Sequence, residues 1–291
     1  MFSMDQEKST KIISNERKLD LSVTQVMGIL NVTYDSFSDG GKYHTLSAAI
    51  DHAAIMVDAG AKIIDVGGES TRPGANIIDA NEEVERVVPV ITALVKRFDA
   101  LISVDTSKAL VIRESAAVGV HLINDVRSLS EPGAIEAAAI TNLPICIMHM
   151  QGEPLTMQQE PFYRDILTEI KAFFSEKINR CEAHGIKKNR LIIDPGFGFG
   201  KNVEHNYSLL ARLTDLHCFG MPILVGMSRK SMIGHLMNNL PPQLRVLGSV
   251  ACAVIAAMQG VKIIRVHDVK QTIEALRVVN ATLSAKKKFF I

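Results

Sequence analysis

No stretch of this chain approaches the roughly 20 apolar residues that a membrane-spanning helix requires, and no Cys-x-x-Cys pair occurs in it. The first absence argues against a helical membrane protein, although 47% of the residues are hydrophobic and suffice for a full core. The second removes the usual spacing of a structural zinc site. The four cysteines, Cys146, Cys181, Cys218 and Cys252, lie far apart and read as reduced cytosolic thiols. An excess of charge of either sign is also missing. Against 31 acidic residues stand 32 basic ones, a formal net charge of +1, which argues against a dedicated nucleic-acid binder. Residues 1–20 are polar and charged with no apolar signal-peptide core, so they read as an edge or mobile segment of a cytoplasmic protein. Lys286, Lys287 and Lys288, followed by Phe289, Phe290 and Ile291, read as a frayed tail over 286–291.

What is present is a regular alternation of short apolar runs and helix-length amphipathic segments. Strands are expected over 26–32, 61–67, 101–106, 121–126, 144–150, 190–196, 222–228 and 261–268. Helices are expected over 46–59, 81–98, 108–118, 133–141, 163–184, 206–218, 243–259 and 269–283. Several strands are apolar on both faces, as in Lys62-Ile63-Ile64-Asp65-Val66, which suits a parallel sheet covered by helices. Gly60, Gly119, Gly185 and Gly260 each follow a helix, where a left-handed cap is needed. Eight strand–helix units predict an α/β fold, a (β/α)8 TIM barrel forming one domain over residues 21–285. An open doubly wound sheet would normally carry a dinucleotide fingerprint after its first strand, and none follows this one. The helical stretch 248–259 is apolar nearly all round, which suits burial either in a homodimer interface or against the barrel.

The polar residues collect at one end of the expected strands. Their C-terminal ends give Asn31, Asp65, Asp105, Asn124 with Asp125, His149, Asp194, Ser228-Arg229-Lys230, and Arg265 with His267. An unpaired buried carboxylate or amide costs several kcal/mol, so such a ring is wasteful unless this end is an open site, as the C-terminal face of a barrel is. Singly, Asp65 and Asp105 could be helix caps, Asn124 and Asp125 a turn, Arg265 an ion-pair partner. His149, between two methionines, reads as a satisfied core histidine.

Three segments add chemistry. Asp194-Pro195-Gly196-Phe197-Gly198-Phe199-Gly200-Lys201 lets backbone approach a flat ligand and offers Phe199 for stacking, but its spacing is not that of a Walker loop. Gly67 to Gly74 is a polar loop with one fixed positive charge, Arg72. Gly226 to Ser231 leads into a helix whose N-terminus, with Ser231, could cradle an anion. Carboxylate and amide acceptors, a lysine and an aromatic face suit a planar heterocycle with adjacent N–H donors, such as a 2-amino-4-oxopyrimidine. Asn31, Arg265 and His267 would suit a phosphate group and its Mg2+.

The runs MGILNVT-DSFSDGG (27–41), IIDVGGESTRPG (63–74), SVDTSK (103–108), INDVRSLSEPGA (123–134), CIMHMQG (146–152), DPGFGFGKN (194–202), LVGMSRKSMIG (224–234) and IIRVHDV (263–269) closely resemble those of bacterial dihydropteroate synthases. The resemblance spans 26–283 and implies a pterin-binding barrel of folate biosynthesis. That family joins 7,8-dihydropterin-6-ylmethyl pyrophosphate to 4-aminobenzoate, releasing pyrophosphate. By resemblance, Asp105, Asn124, Asp194, Lys230 and Arg265 would bind the pterin beside Met148 and Phe199. Asn31, Arg265 and His267 would hold the pyrophosphate, with Mg2+ near Asn31, and Asp105, Asp194, Lys230, Arg265 and His267 would form the catalytic set. Thr71, Arg72, Pro73 and Ser231 would shape the aminobenzoate site, and Asp35 and Phe37 would belong to a closing loop. Tyr34 stands where the family usually has proline, which relaxes the backbone of that loop. A methyltetrahydrofolate-binding methyltransferase barrel would share the pterin pocket but would not need the 67–74 and 228–231 segments. A non-catalytic pterin-binding paralogue should have lost the charged residues, and all of them are here.

Overall fold

Eight short parallel strands close on themselves at the centre of the protein. In the computed structural model the described residues are 11–32, 42–69, 78–152, 157 and 160–288, without the side chains of 42–45 and 286–288. A hairpin of β1 (Lys11–Ser14) and β2 (Arg17–Asp20) comes first. The barrel strands are β3 (Gln25–Asn31), β4 (Ile63–Gly67), β5 (Leu101–Asp105), β6 (Leu122–Asp125), β7 (Ile145–Met148), β8 (Leu191–Asp194), β9 (Leu224–Val225) and β10 (Ile263–Val266). Their order is β8-β7-β6-β5-β4-β3-β10-β9, and a parallel bridge from Ile193 to Ile223 joins the two ends. The expected (β/α)8 barrel is therefore the observed fold.

Around it run α1 (Lys42–Asp58), α2 (Ala80–Arg97), α3 (Ala109–Ala117), α4 (Ala134–Thr141), α5 (Ile166–Ala183), α6 (Val203–Ala211), α7 (Ser231–Leu236), α8 (Val246–Met258) and α9 (Val269–Lys288). The expected helix 206–218 starts earlier, because Asn202 Oδ1 accepts from His205 N at 2.8 Å in a capping box. It ends at Ala211 and gives way to a 3-10 turn over Leu213–Phe219. The eighth strand–helix unit is preceded by one with two helices, α7 and α8, where the periodicity suggested a single one over 243–259. At the C-terminus α9 continues through Lys288, so the first three residues of the expected tail are helical. All four glycines expected to cap helices have positive φ, between 81° and 108°.

Side chains alternate along each strand, and the alternation sorts the barrel into two faces. Outward residues such as Val26, Ile64, Ile102, Ile123, Ile145, Ile193, Val225 and Ile264 pack with the helices in one large core. Inward, one residue from each strand (Met27, Ile63, Leu101, Leu122, Cys146, Ile192, Leu224 and Ile263) forms an apolar floor. Ile12, Leu19 and Leu21 belong to the same cluster, so the N-terminal hairpin segment plugs the bottom of the barrel. Arg17 fastens it there, donating to Ala100 O at 2.6 Å and Val95 O at 2.9 Å. Burying those three aliphatic side chains contributes about 1.5–3 kcal/mol each. Residues 11–20 are thus a floor of the barrel rather than a mobile lead.

Candidate active site

Two residues further along each strand from the floor stand Ile29, Asp65, Ser103, Asn124, Met148, Asp194, Gly226 and Arg265. The inward face therefore changes from apolar to polar in a single step, and strand geometry alone puts four of the expected site residues on one level. A further step reaches Asn31, Gly67, Asp105 and His267 at the rim.

Arg265 organises one half of this ring. Its Nε donates to Asp65 Oδ2 at 2.6 Å and its Nη2 to Asp105 Oδ2 at 2.7 Å. Asn124 Nδ2 donates to the same Asp65 oxygen at 3.0 Å. Burial opposes the charge on Arg265, but the two carboxylates outweigh it and raise its pKa. Burial pushes the Asp105 carboxyl up to about 7; Arg265 opposes that rise and Asp65 adds to it. Asp65 and Asp105 are thus ion-pair partners and not helix caps. Asp65 was visible in the strand-end series, yet the resemblance assigned it no role; its position two residues above floor residue Ile63 was the available signal.

Asp194 and Lys230 form the opposite half. Asp194 is buried, accepts from Gly196 N at 2.8 Å through Oδ1, and has its pKa raised by burial against the pull of Lys230. Lys230 Nζ donates to Phe197 O and lies 4.4 Å from the centre of the Phe199 ring, a cation–π contact. Burial lowers the Lys230 pKa to about 8, with Asp194 holding it up. Met148 lies at the end of β7 on the same level, fully buried.

At the rim, His267 Nδ1 pairs with Ser228 Oγ at 3.0 Å, which orients the ring. The missing Cβ of Gly67 leaves a gap 3.6 Å from Asn31 Oδ1 and 3.7 Å from Asp105 Oδ2. Among the described residues no group of three or more His, Cys, Asp or Glu could hold a metal by itself. A single hard oxygen, Asn31 Oδ1, beside an open gap fits instead a Mg2+ whose remaining ligands come from substrate phosphates and water. Ser231 is exposed at the first position of α7, a helix of only six residues, and lines a cavity of about 420 Å³ with Asn202, Glu204 and His235.

Some expected site residues stand elsewhere. Asp125 turns away from the ring, accepting from Arg127 N at 2.7 Å and Leu129 N at 2.8 Å, so it is the turn former and only Asn124 faces inward. His149 is buried, paired with Lys201 Nζ at 2.9 Å and packed edge-on to Phe173, as a satisfied interior histidine should be. Asp35, Phe37, Thr71, Arg72 and Pro73, together with Tyr34, lie outside the described residues.

The pterin binding enzyme family matches residues 27–267. A dihydropteroate synthase of Escherichia coli K12 is 64% identical over 277 residues, covering 95% of this chain and 98% of the relative. Among solved structures, Yersinia pestis dihydropteroate synthase with a sulfonamide drug complex has a TM-score of 0.90 and 63% identity, covering 94% of this chain and 99% of that one. Xanthomonas albilineans dihydropteroate synthase in complex with 7,8-dihydropteroate has a TM-score of 0.84 and 40% identity, covering 94% and 99%.

Proposed function

The chain belongs to the dihydropteroate synthases of the pterin-binding enzyme family, transferases of folate biosynthesis, and from that premise we propose how its residues divide the reaction. The carrying observation is the split ring at the barrel mouth, Asp194 and Lys230 under Phe199 on one side, Arg265 between Asp65 and Asp105 on the other.

Asp194 accepts from the pterin ring N–H and its exocyclic amine as a bidentate pair, and Lys230 leaves Phe197 O to donate to the ring carbonyl. Asn124 and Met148 line the pterin floor, and Phe199 covers a face. Across the ring, Arg265 Nη1, the guanidinium nitrogen not engaged by Asp65 or Asp105, and His267 take the diphosphate together with Asn31. Asn31 would also hold Mg2+, which when bound neutralises charge on the leaving diphosphate. Ser231, with Thr71, Arg72 and Pro73 by resemblance, receives the 4-aminobenzoate.

Departure of pyrophosphate leaves positive charge on the electron-rich dihydropterin and its exocyclic methylene. Asp105 and Asp194 stabilise that charge, while Arg265 and His267 stabilise the leaving group. The weakly basic aniline nitrogen then attacks without a strong base and releases its proton to solvent or pyrophosphate. Such a dissociative displacement assigns catalysis to electrostatic positioning.

Pyrophosphate release from the dihydropterin diphosphate should be strongly accelerated by 4-aminobenzoate and matched by dihydropteroate formation; release that 4-aminobenzoate leaves unchanged, with no condensed product, would refute the reaction. Its kcat/KM for the dihydropterin should be bell-shaped in pH. Below about 7 the Asp105 carboxylate is protonated and cannot stabilise a cation; above about 8 Lys230 loses its proton. The optimum therefore lies between those values, and a profile flat from pH 6 to 9 would count against both assignments.

The barrel functions as a homodimer in the cytoplasm, where its four free thiols stay reduced. One face of α8 packs on the barrel through Cys252, Ala253 and Ala256, while Leu247, Ile255 and Met258 remain exposed on the other. In light scattering Leu247→Asp with Ile255→Asp should convert a dimer to a monomer; a wild-type monomer would sink this interface.

A further inference from the structure

Lys201 is 2% exposed, yet none of the described carboxylates forms a salt bridge with it. Its Nζ donates to Gly196 O at 2.9 Å and Phe199 O at 3.0 Å, and pairs with His149 Nδ1 at 2.9 Å. Three partners match the three protons of an ammonium group. Two of the three are carbonyls of the loop that follows β8.

That loop has little stiffness of its own. Gly196, Gly198 and Gly200 all have positive φ, 70°, 77° and 61°, and glycine backbone loses the most freedom on ordering. It is also pressed against the end of β7: a Cβ on Gly196 would fall 1.8 Å from His149 O, and one on Gly200 2.3 Å from Gln151 O. Secondary ties exist: Gly198 N donates to Asn206 Oδ1 at 2.7 Å and Tyr163 Oη donates to Gly200 O at 2.8 Å. Lys201 Nζ binds the carbonyls at both ends of the turn, which the Phe199 N–H also closes by donating to Gly196 O at 3.1 Å. Fixing the Phe199 carbonyl fixes the origin of the ring that lies over Lys230. His149 in turn is held by its edge contact with Phe173 at 4.9 Å between ring centres.

We propose that Lys201 and His149 are a positioning pair for the pterin side of the site, a buried strut that sets where the Phe199 ring and the Phe197 carbonyl meet Lys230. The inference rests on Phe199 and Lys230 being pterin contacts. Burial lowers the pKa of both members, that of His149 to about 2, and this suits a neutral imidazole whose Nδ1 accepts from the lysine.

The test compares Lys201→Met, His149→Leu, His149→Asn and Phe199→Ala in steady-state kinetics, with thermal melting as a folding control. His149→Leu and Lys201→Met should raise KM for the dihydropterin diphosphate about tenfold while kcat stays within about threefold. His149→Asn places an amide near the position of Nδ1 and should restore most of the loss. A folded His149→Leu with unchanged pterin KM overturns the strut, as does a His149→Asn no better than leucine. If Phe199→Ala also leaves pterin KM unmoved, the premise fails and the pair's role fails with it. If only Phe199→Ala raises KM, the pterin contact stands and the strut alone is refuted. Should Lys201→Met not fold, the two His149 variants still decide.

Discussion

Arg265→Ala is expected to destabilise the protein by about 3–5 kcal/mol and to abolish useful activity. The guanidinium is the sole described cation hydrogen-bonded to Asp65 and Asp105, and Asp65 is fully buried. Removing it leaves two carboxylates close together with no described cation hydrogen-bonded to either. One will bind a proton, and Asp105 is already disposed to do so, with its pKa near 7. Protonation recovers part of the loss, so the destabilisation should be smaller at pH 5 than at pH 8. Urea unfolding at the two pH values checks both the size and the sign. The double variant Arg265→Ala with Asp65→Asn separates the two roles of Arg265. It should regain stability, because a buried charge has gone, but not pyrophosphate release, because the anion contact is still missing. Recovery of activity in the double variant would show that Arg265 serves only to neutralise Asp65.

Asp194→Asn should weaken pterin binding by on the order of 1–3 kcal/mol while leaving the fold intact. The substitution keeps an oxygen that can accept from Gly196 N, now at 2.8 Å, so the turn after β8 survives. It removes the charge, and it replaces one acceptor by an N–H that opposes the pterin N–H donors. Calorimetry with a pterin ligand reads the effect directly, and unchanged affinity would withdraw Asp194 as the anchor. The loss of charge should also appear at Lys230, whose protonation Asp194 supports. The alkaline limb of the pH profile should therefore move to lower pH in this variant.

Much of the molecule was legible before any coordinates. Each barrel strand was located to within a few residues because parallel strands covered by helices read as apolar runs, and glycines marked where helices stop. The polar ends of those strands gave Asn31, Asp105, Asn124, Asp194, Arg265 and His267. Three of the local alternatives were right, for Asp125 as a turn former, His149 as an interior histidine and Arg265 as an ion-pair partner. Three features were not legible. The hairpin at residues 11–20 looked like a polar lead, because only Ile12 and Leu19 of its apolar residues face the floor, and a four-residue strand leaves too little pattern to read. Lys201 looked like the end of a glycine-rich loop. The extent of α7 was the third, since a helix start was expected at Ser231 but six residues give no readable period, and the expected helix over 243–259 covers α8 alone.

The sequence by itself determined the barrel, the level of the site and the chemistry of its residues, because hydrophobic period and strand-end polarity are local properties that a chain carries in its order. The pairings were decided by the tertiary structure. Asp65 and Arg265 are 200 residues apart, and only closing the ring of strands brings their side chains to 2.6 Å. The same closure sets Lys230 over Phe199 and Lys201 on His149. Charge interactions depend on separation and burial, and neither can be read from position along the chain.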